Sequence, residues 1–318
     1  MNPELLSKAA DAVLIWCAVF LFSSLLHALL YPVLQRSCGR IRAARKASLL
    51  LLWGLIPPLA ASLVTLLVMT PALSAHLVPG HCHELNCAPH VPVSEAHTAL
   101  RIGLAAAAGG LALALLGAML LLALRLQRQL RTLFALSRTS QSHHHYHVIE
   151  GPAPAAWCIG WFRPEVYVSR SMLEAVSAEE LQIVLAHEYE HLRRRDNLRG
   201  ALLTVTTCLW PRTHRRHLHN DFKTATEIAC DRAALEAIGN ADRVARVIAH
   251  LDRNVTSPTQ RVDTQTSSDF AQQRIAALRE SGQNTRRLLG LLAAAAVIWV
   301  LQVCVSTALA HTGIELLH

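Results

Sequence analysis

Aromatic residues make up only 5% of this 318-residue chain and charged residues only 16%. A soluble domain carries about 25% charged residues, so a wholly soluble enzyme and a disordered chain are both excluded. With aromatics scarce, the 52% of hydrophobic residues is largely Ala and Leu, the composition of helices that face lipid. Cysteine is too thin, eight in the whole chain, for a small disulfide scaffold. Lysine and arginine are missing altogether from 70–98, and that gap matters for topology.

What charge there is gives a net +8, which by itself could suggest nucleic acid. Its placement argues against that. The cations sit in blocks beside apolar runs: Arg36, Arg40, Arg42, Arg45 and Lys46, then Arg125, Arg128 and Arg131, then Arg286 and Arg287. This is the positive-inside pattern of a multi-pass membrane protein, with no direct nucleic-acid partner expected.

Four runs are long enough to span a bilayer, which takes about 20 mainly apolar residues: Ala12–Leu34, Ser48–Met69, Leu100–Leu124 and Leu288–Leu309. Pro57-Pro58 should kink the second. Gly103, Gly109, Gly110 and Gly117 in the third should let helices approach closely. The leader MNPELLSKAAD is not basic, so the first run reads as a span rather than a cleavable signal. The basic loop 35–47 belongs in the cytoplasm and 70–98 outside. Residues 125–287 then return to the cytoplasm, and both termini lie outside. The expected divisions are 1–125, a three-helix membrane region with an outer loop; 126–286, a cytoplasmic domain; and 287–318, a fourth span and short tail.

The outer loop holds Cys82, Cys87, His76, His81, His83 and His90. It reads as a disulfide-pinned loop or as a loop that binds a soft metal. In the cytoplasmic segment, RLQRQLRTLFALSR has helical spacing. SHHHYHVIEG reads as a solvated or strand-edge tract, and WCIGWFRPEVYVS as two short strands around a turn. Ser177 and Glu180 form a capping signal for a helix with the apolar stripe Leu181, Val184, Leu185 and Leu192. A second helix should start near Asn220-Asp221 and end before Gly239. Residues 252–269 read as a loop, followed by a final helix near Phe270–Ser281.

The chemistry lies in His187-Glu188-Tyr189-Glu190-His191. Histidines four apart project from one helical face and can bind one zinc ion, and the Glu between them can act on a water. Glu188 falls on the apolar stripe, where an unpartnered carboxylate is costly and a nearby cation would explain it. Zinc hydrolases use three protein ligands, and the best third is Glu227 in TEIACD. Asp231, one turn further on, can accept an N–H from a ligating histidine and so fix its ring. Cys230 is a competing soft ligand expected on another face. His217, His219 and Arg274 are candidate oxyanion donors.

Three membrane runs, LAHEYEHLRRRD, TEIACD and a fourth run together resemble the BlaR/MecR type of integral-membrane zinc metallopeptidase. The likeness is strongest over IGWFRPEVYVS, AEELQIVLAHEYEHLRRRDNL and TEIACDRAAL. It implies an α-helical membrane protein with four transmembrane helices plus a mainly α (α+β) cytoplasmic zincin-like metalloprotease domain. It further implies that His187, His191 and Glu227 hold Zn²⁺, that Glu188 is catalytic, and that Asp231 and Asp196 support them. Those sensors carry an outer β-lactam-binding domain after the last span. Here only 310–318 follow, so no such sensor is expected.

The function expected is a zinc endopeptidase in a bacterial-type plasma membrane, cutting a protein at the cytoplasmic face in antirepressor-like signalling or membrane-protein processing. Its partners would be a protein or peptide substrate (a transcriptional repressor or a membrane protein), the bilayer, and a second copy if it dimerises. A non-catalytic signalling or metal-sensing protein that uses the outer loop is the competing reading. Trp157, Cys158, Ile159 and Gly160 are the expected substrate-binding strand, because a protease holds its substrate extended and an exposed strand edge does this through the main chain.

Overall fold

The computed structural model describes residues 3–39, 41–74, 146–254, 264–279 and 285–315, with scattered positions between 103 and 124. In chain order its elements are α1 (Pro3–Ser37), α2 (Ala43–Met69), α3 (Pro71–Ser74), β1 (His147–Ile149), β2 (Ala156–Ile159) and β3 (Glu165–Ser169). Then come α4 (Arg170–Ala175), α5 (Ala178–Arg194), α6 (Asp196–Thr206), α7 (Arg212–Ile238), α8 (Ala241–Asn254), α9 (Thr264–Arg279) and α10 (Thr285–Glu315).

Among the described residues, α1, α2 and α10 are long and apolar enough to cross a membrane. The described positions of the run 100–124 are helical, but the run as a whole lies only partly within the described residues. Helix α2 continues through Pro57 and Pro58 without a break in its helical assignment. Among the described residues, a Cβ at Gly103, Gly109, Gly110 or Gly117 would meet nothing within 4 Å. A close approach of helices occurs at Gly54 of α2, where a Cβ would come within 2.5 Å of Leu203 and 3.3 Å of Thr207. A missing side chain on α2 thus lets α6 pack against it.

That contact belongs to a core shared between the membrane helices and the following segment. Tyr31, Leu34 and Trp53 of α1 and α2 pack with Leu203, Leu218 and Phe222 of α6 and α7. Burying side chains such as Leu203 and Leu218 contributes about 1.5–3 kcal/mol each. Polar bonds fasten the same seam. Tyr31 Oη and Gln35 Nε2 both donate to Asp221 of α7. Arg199 of α6 donates to Ser48 of α2 at 3.0 Å.

This packing explains a correction at α7. The helix begins at Arg212, after Pro211 at its N-cap, and not near Asn220-Asp221. The charged stretch 212–219 reads as polar, but it is helical because Leu218 and Phe222 anchor it in that core. Proline is favoured at a helix start, and Pro211 was the available signal. The end before Gly239 holds: Gly239 caps the helix at φ 75°. The loop expected at 252–269 is shorter, since α8 runs to Asn254 and α9 begins at Thr264.

The sheet has the order β1-β3-β2, with β1 parallel and β2 antiparallel to β3. Gly160, at φ 115°, closes the β2–β3 turn so tightly that a Cβ would lie 2.6 Å from the Arg163 carbonyl. Helix α5 lies between this sheet and α7–α8. Leu181, Leu185 and Leu192 pack on the sheet side, while Ile183 and Val184 are buried against α7, α8 and α9. The expected stripe omitted Ile183 because it assumed that one face of α5 was covered, and two are. The Cys/His loop expected outside, from 75 onward, and the stretch 126–138 expected to be helical lie outside the described residues.

Candidate metal centre and active site

Helix α5 starts as the sequence requires. Ser177 Oγ accepts from the Glu180 N–H, and Glu180 Oε2 accepts from the Ser177 N–H at 2.8 Å. From this fixed start, 3.6-residue periodicity carries His187 and His191 onto one face, opposite α7. The helix ends at Arg195, a non-glycine residue in the left-handed conformation at φ 53°. That costly geometry lets α6 begin at once and brings Asp196 back onto His191.

The two imidazoles are held from behind and open in front. His187 Nδ1 lies 3.0 Å from Asp231 Oδ1, and His191 Nδ1 lies 3.0 Å from Asp196 Oδ2. Each Nδ1–H donates to its carboxylate, which fixes the tautomer. The Nε2 atoms then point at each other, 3.1 Å apart. Glu227 of α7 completes the ring, with Oε2 at 3.5 Å from His187 Nε2 and Oε1 at 3.8 Å from His191 Nε2. Ligands at about 2.0–2.1 Å around a tetrahedral ion sit roughly 3.3 Å apart. With both Nδ1 atoms engaged, two Nε2 nitrogens and a carboxylate converge on one point, an arrangement that a shared cation would hold together. The donor set therefore fits a zinc-like ion.

Charge is balanced outward from this ring. Arg274 of α9 grips Asp231 with two bonds, at 2.7 and 2.6 Å, and reaches Glu227 at 3.4 Å. Asp196 pairs with Arg199 at 3.0 Å and Arg194 at 3.4 Å. Burial works against both carboxylates of α7. Even so, the His187 bond and Arg274 hold Glu227 down to about 2, and Asp231 is lowered likewise. Burial also opposes a charged His187, but Asp231 and Glu227 outweigh it and raise its pKa to about 9.

Glu188 lies in the same cavity of about 500 Å³, lined also by Trp157, Cys158, Asn197, Phe270 and Arg274. Burial pushes its pKa up, against the pull of the two histidines and of a main-chain bond from Cys158. A carboxylate raised in this way is suited to proton transfer. The Cys158 carbonyl accepts from Asn197 Nδ2 at 2.8 Å. Both main-chain groups of Cys158 thus face away from β3. Residues of the same parity, Ala156 and Gly160, share that outward edge, whereas Ala155 pairs with Ser169 on β3.

Cys230 corrects one expectation. Its sulfur is not remote: ligand atoms of His187, His191 and Cys230 lie within 4.8 Å of one another. The thiol, however, donates to Asp196 Oδ2 at 3.9 Å, which places it behind the histidines on their Nδ1 side. Burial pushes this thiol well above its ordinary value, which disfavours the thiolate that metals require. His217 and His219 do not line the cavity; His219 Nε2 meets Thr207 Oγ1 at 3.1 Å. Arg274 does line it, already engaged by two carboxylates. Asn197 went unrecognised in the sequence, since a polar residue after a helix end carries no signal until β2 is placed beside it.

Comparison with protein families bears on this site directly. The family model described as BlaR1 peptidase M56 matches residues 59–278, a span that includes every side chain of the ring. The chain belongs to this family of membrane-associated metallopeptidases. Searches of curated proteins and of solved structures gave no significant match.

Proposed function

We propose that this protein is a membrane-embedded zinc endopeptidase that cuts a protein substrate at the cytoplasmic face. The single observation that carries the reading is the Nε2–Nε2–carboxylate ring of His187, His191 and Glu227, with Glu188 beside it in an open cavity. These three side chains would hold the metal. When bound, zinc supplies Lewis acidity toward a carbonyl and toward water. Glu188 takes the proton of the attacking water and delivers it to the leaving amine. Asp231 and Asp196 keep both imidazoles facing the ion, and Arg274 keeps Asp231 ionised and in position.

Substrate adds as an extended strand along the outer edge of β2, beside the cavity. Trp157 and Ile159 serve the ladder with β3, so the edge offered is that of Ala156, Cys158 and Gly160, and a substrate strand takes over the Cys158 main-chain bonds made in its absence to Glu188 and Asn197. A proline at Ala156 would remove an outward N–H and leave the ladder intact; a proline at Ile159 would cut the ladder itself. The positive-inside pattern supports a cytoplasmic location for this cavity, with both termini outside. Antirepressor-like signalling or membrane-protein processing follows from the resemblance in the sequence.

The deciding experiment compares wild type with Glu188→Gln in zinc content and in the cellular proteome. Retained zinc with a substrate that accumulates uncut supports the peptidase. Unchanged proteomes with full zinc would favour a metal-sensing protein without catalysis. Cys230 offers a second ligand set, His187–His191–Cys230, and zinc content separates the two. Glu227→Ala empties the site in the first arrangement, Cys230→Ser in the second.

A further inference from the structure

The turn between β2 and β3 presents an apolar tip that the peptidase reading does not use. Phe162 is 71% exposed, with Arg163 exposed beside it and Trp161 half-buried. The turn has a fixed shape, set by Gly160 at φ 115° against the Arg163 carbonyl. A single exposed ring is ordinary on a protein surface. Its position makes this one informative.

Two bonds locate the edge of the apolar runs. Gln35, the residue after the first run, donates to Asp221 of α7. Arg199 of α6 donates to Ser48, the residue that opens the second run. Arg199 also stands over the Phe222 ring, 5.5 Å from its centre, so Arg199, Asp221 and Phe222 share one level. With α1 and α2 read as spans, that level is the lipid headgroups. The β2–β3 turn is tied to it. Asn197, two residues before Arg199, donates to the Cys158 carbonyl at 2.8 Å and reaches that of Gly160 at 3.5 Å. Strand β2 therefore ends, and the turn begins, against the start of α6. Helix α5 ends at the same place, and its 17 residues put its own start about 25 Å away along the helix. Aromatic rings are favoured where water meets hydrocarbon, and an arginine beside them can keep its charge among the headgroups.

We propose that Trp161, Phe162 and Arg163 form a bilayer anchor, with the Phe162 ring inserted in the headgroup layer. The anchor pins the membrane-proximal end of β2. Glu227 follows Asp221 by less than two turns of α7, about 9 Å, so the metal centre stands close to the headgroups. A strand added to β2 runs from the membrane surface to the metal, which suits a juxtamembrane segment of a membrane-bound protein as substrate. That consequence rests on the peptidase reading; the lipid contact does not.

The test places p-benzoylphenylalanine, close to phenylalanine in shape, at position 162 of the full chain in phosphatidylcholine nanodiscs. Ultraviolet light joins it to whatever lies against it, and mass spectrometry identifies the adduct. Position 301 is the lipid-facing standard, since Leu301 is 60% exposed on the apolar helix α10. Position 179, at the far end of α5, is the water-facing one. Lipid adducts are expected at 162 as at 301, and none at 179. Position 163 gives the same reading if the 162 variant fails to fold. Adducts to a second copy of the chain alone would make the turn a dimer contact and overturn the anchor. No adduct at 162 and 163 would leave the turn in water, and equal adducts at 179 would make lipid contact unspecific; either also overturns it. The readout needs no catalysis. Lipid adducts at 162 in a chain that cuts nothing would keep the anchor and discard the peptidase reading.

Discussion

The metal-centre half and the membrane-facing half of this molecule bury their groups by opposite means. Around α5 and α7 the buried groups are charged, and each is matched: His187 with Asp231, Asp231 with Arg274, His191 with Asp196, Asp196 with Arg199. Along α1, α2 and α6 burial is mainly apolar, with Ser23, Ser24 and His27 of α1 as buried polar exceptions, and fit is set by volume, as at the tight contact of Gly54. The first kind of packing fails when a partner is removed, because an unpaired charge remains behind. The second fails when an atom is added.

The contrast should be starkest at the ring itself. His187→Ala or Glu227→Ala should abolish proteolysis and strip the metal, read as zinc per chain after dialysis against a weak chelator. Full zinc in Glu227→Ala would remove Glu227 from the ring. Next in size, Glu188→Gln should lower turnover by about 10²–10⁴-fold with zinc content unchanged. A parallel loss of zinc would mean that Glu188 acts structurally.

Asp231→Asn should weaken zinc binding by about 10–100-fold and destabilise the fold through the stranded Arg274. Wild-type affinity in that variant would dissolve the idea that matched charge holds this half together. A smaller effect follows from pH. His187 is protonated below about 9 in the metal-free protein, and metal binding must expel that proton. Zinc affinity should therefore rise about tenfold per pH unit from pH 7 towards 9, with one proton released per ion in weak buffer. Affinity flat over that range would show that His187 is already neutral. Smallest is the volume test in the other half: Gly54→Ala should cost about 1 kcal/mol, since the Leu203 methyl it meets can give way. No shift in thermal midpoint would show that the α2–α6 contact is slack.

Much of the site was legible because its chemistry is local to a helix. The i, i+4 histidines, the Glu between them and the Glu227–Asp231 pair need only 3.6-residue periodicity to share a face, and the capping box fixes where that periodicity starts. Three of the four expected spans, α1, α2 and α10, were legible for a similar reason, since length and apolarity are properties of a continuous segment. Asn197, the role of Arg274 and the parity of β2 were not legible. Each depends on an element distant in sequence being brought alongside, and no spacing rule encodes that.

By itself the sequence determined the candidate metal-ligand residue types, the helix that presents them, the apolar runs and the uneven placement of charge along the chain. Only the tertiary structure decided which face of α7 meets α5, and so that Glu227 stands before the histidines while Cys230 stands behind them. It also decided that α6 and the start of α7 share a core with α1 and α2. The physical reason is the same in both cases. Local periodicity sets which side chains share a face, but which faces meet is chosen by shape and charge complementarity among segments far apart in the chain, as at Gly54 against Leu203 and at Asp231 against Arg274.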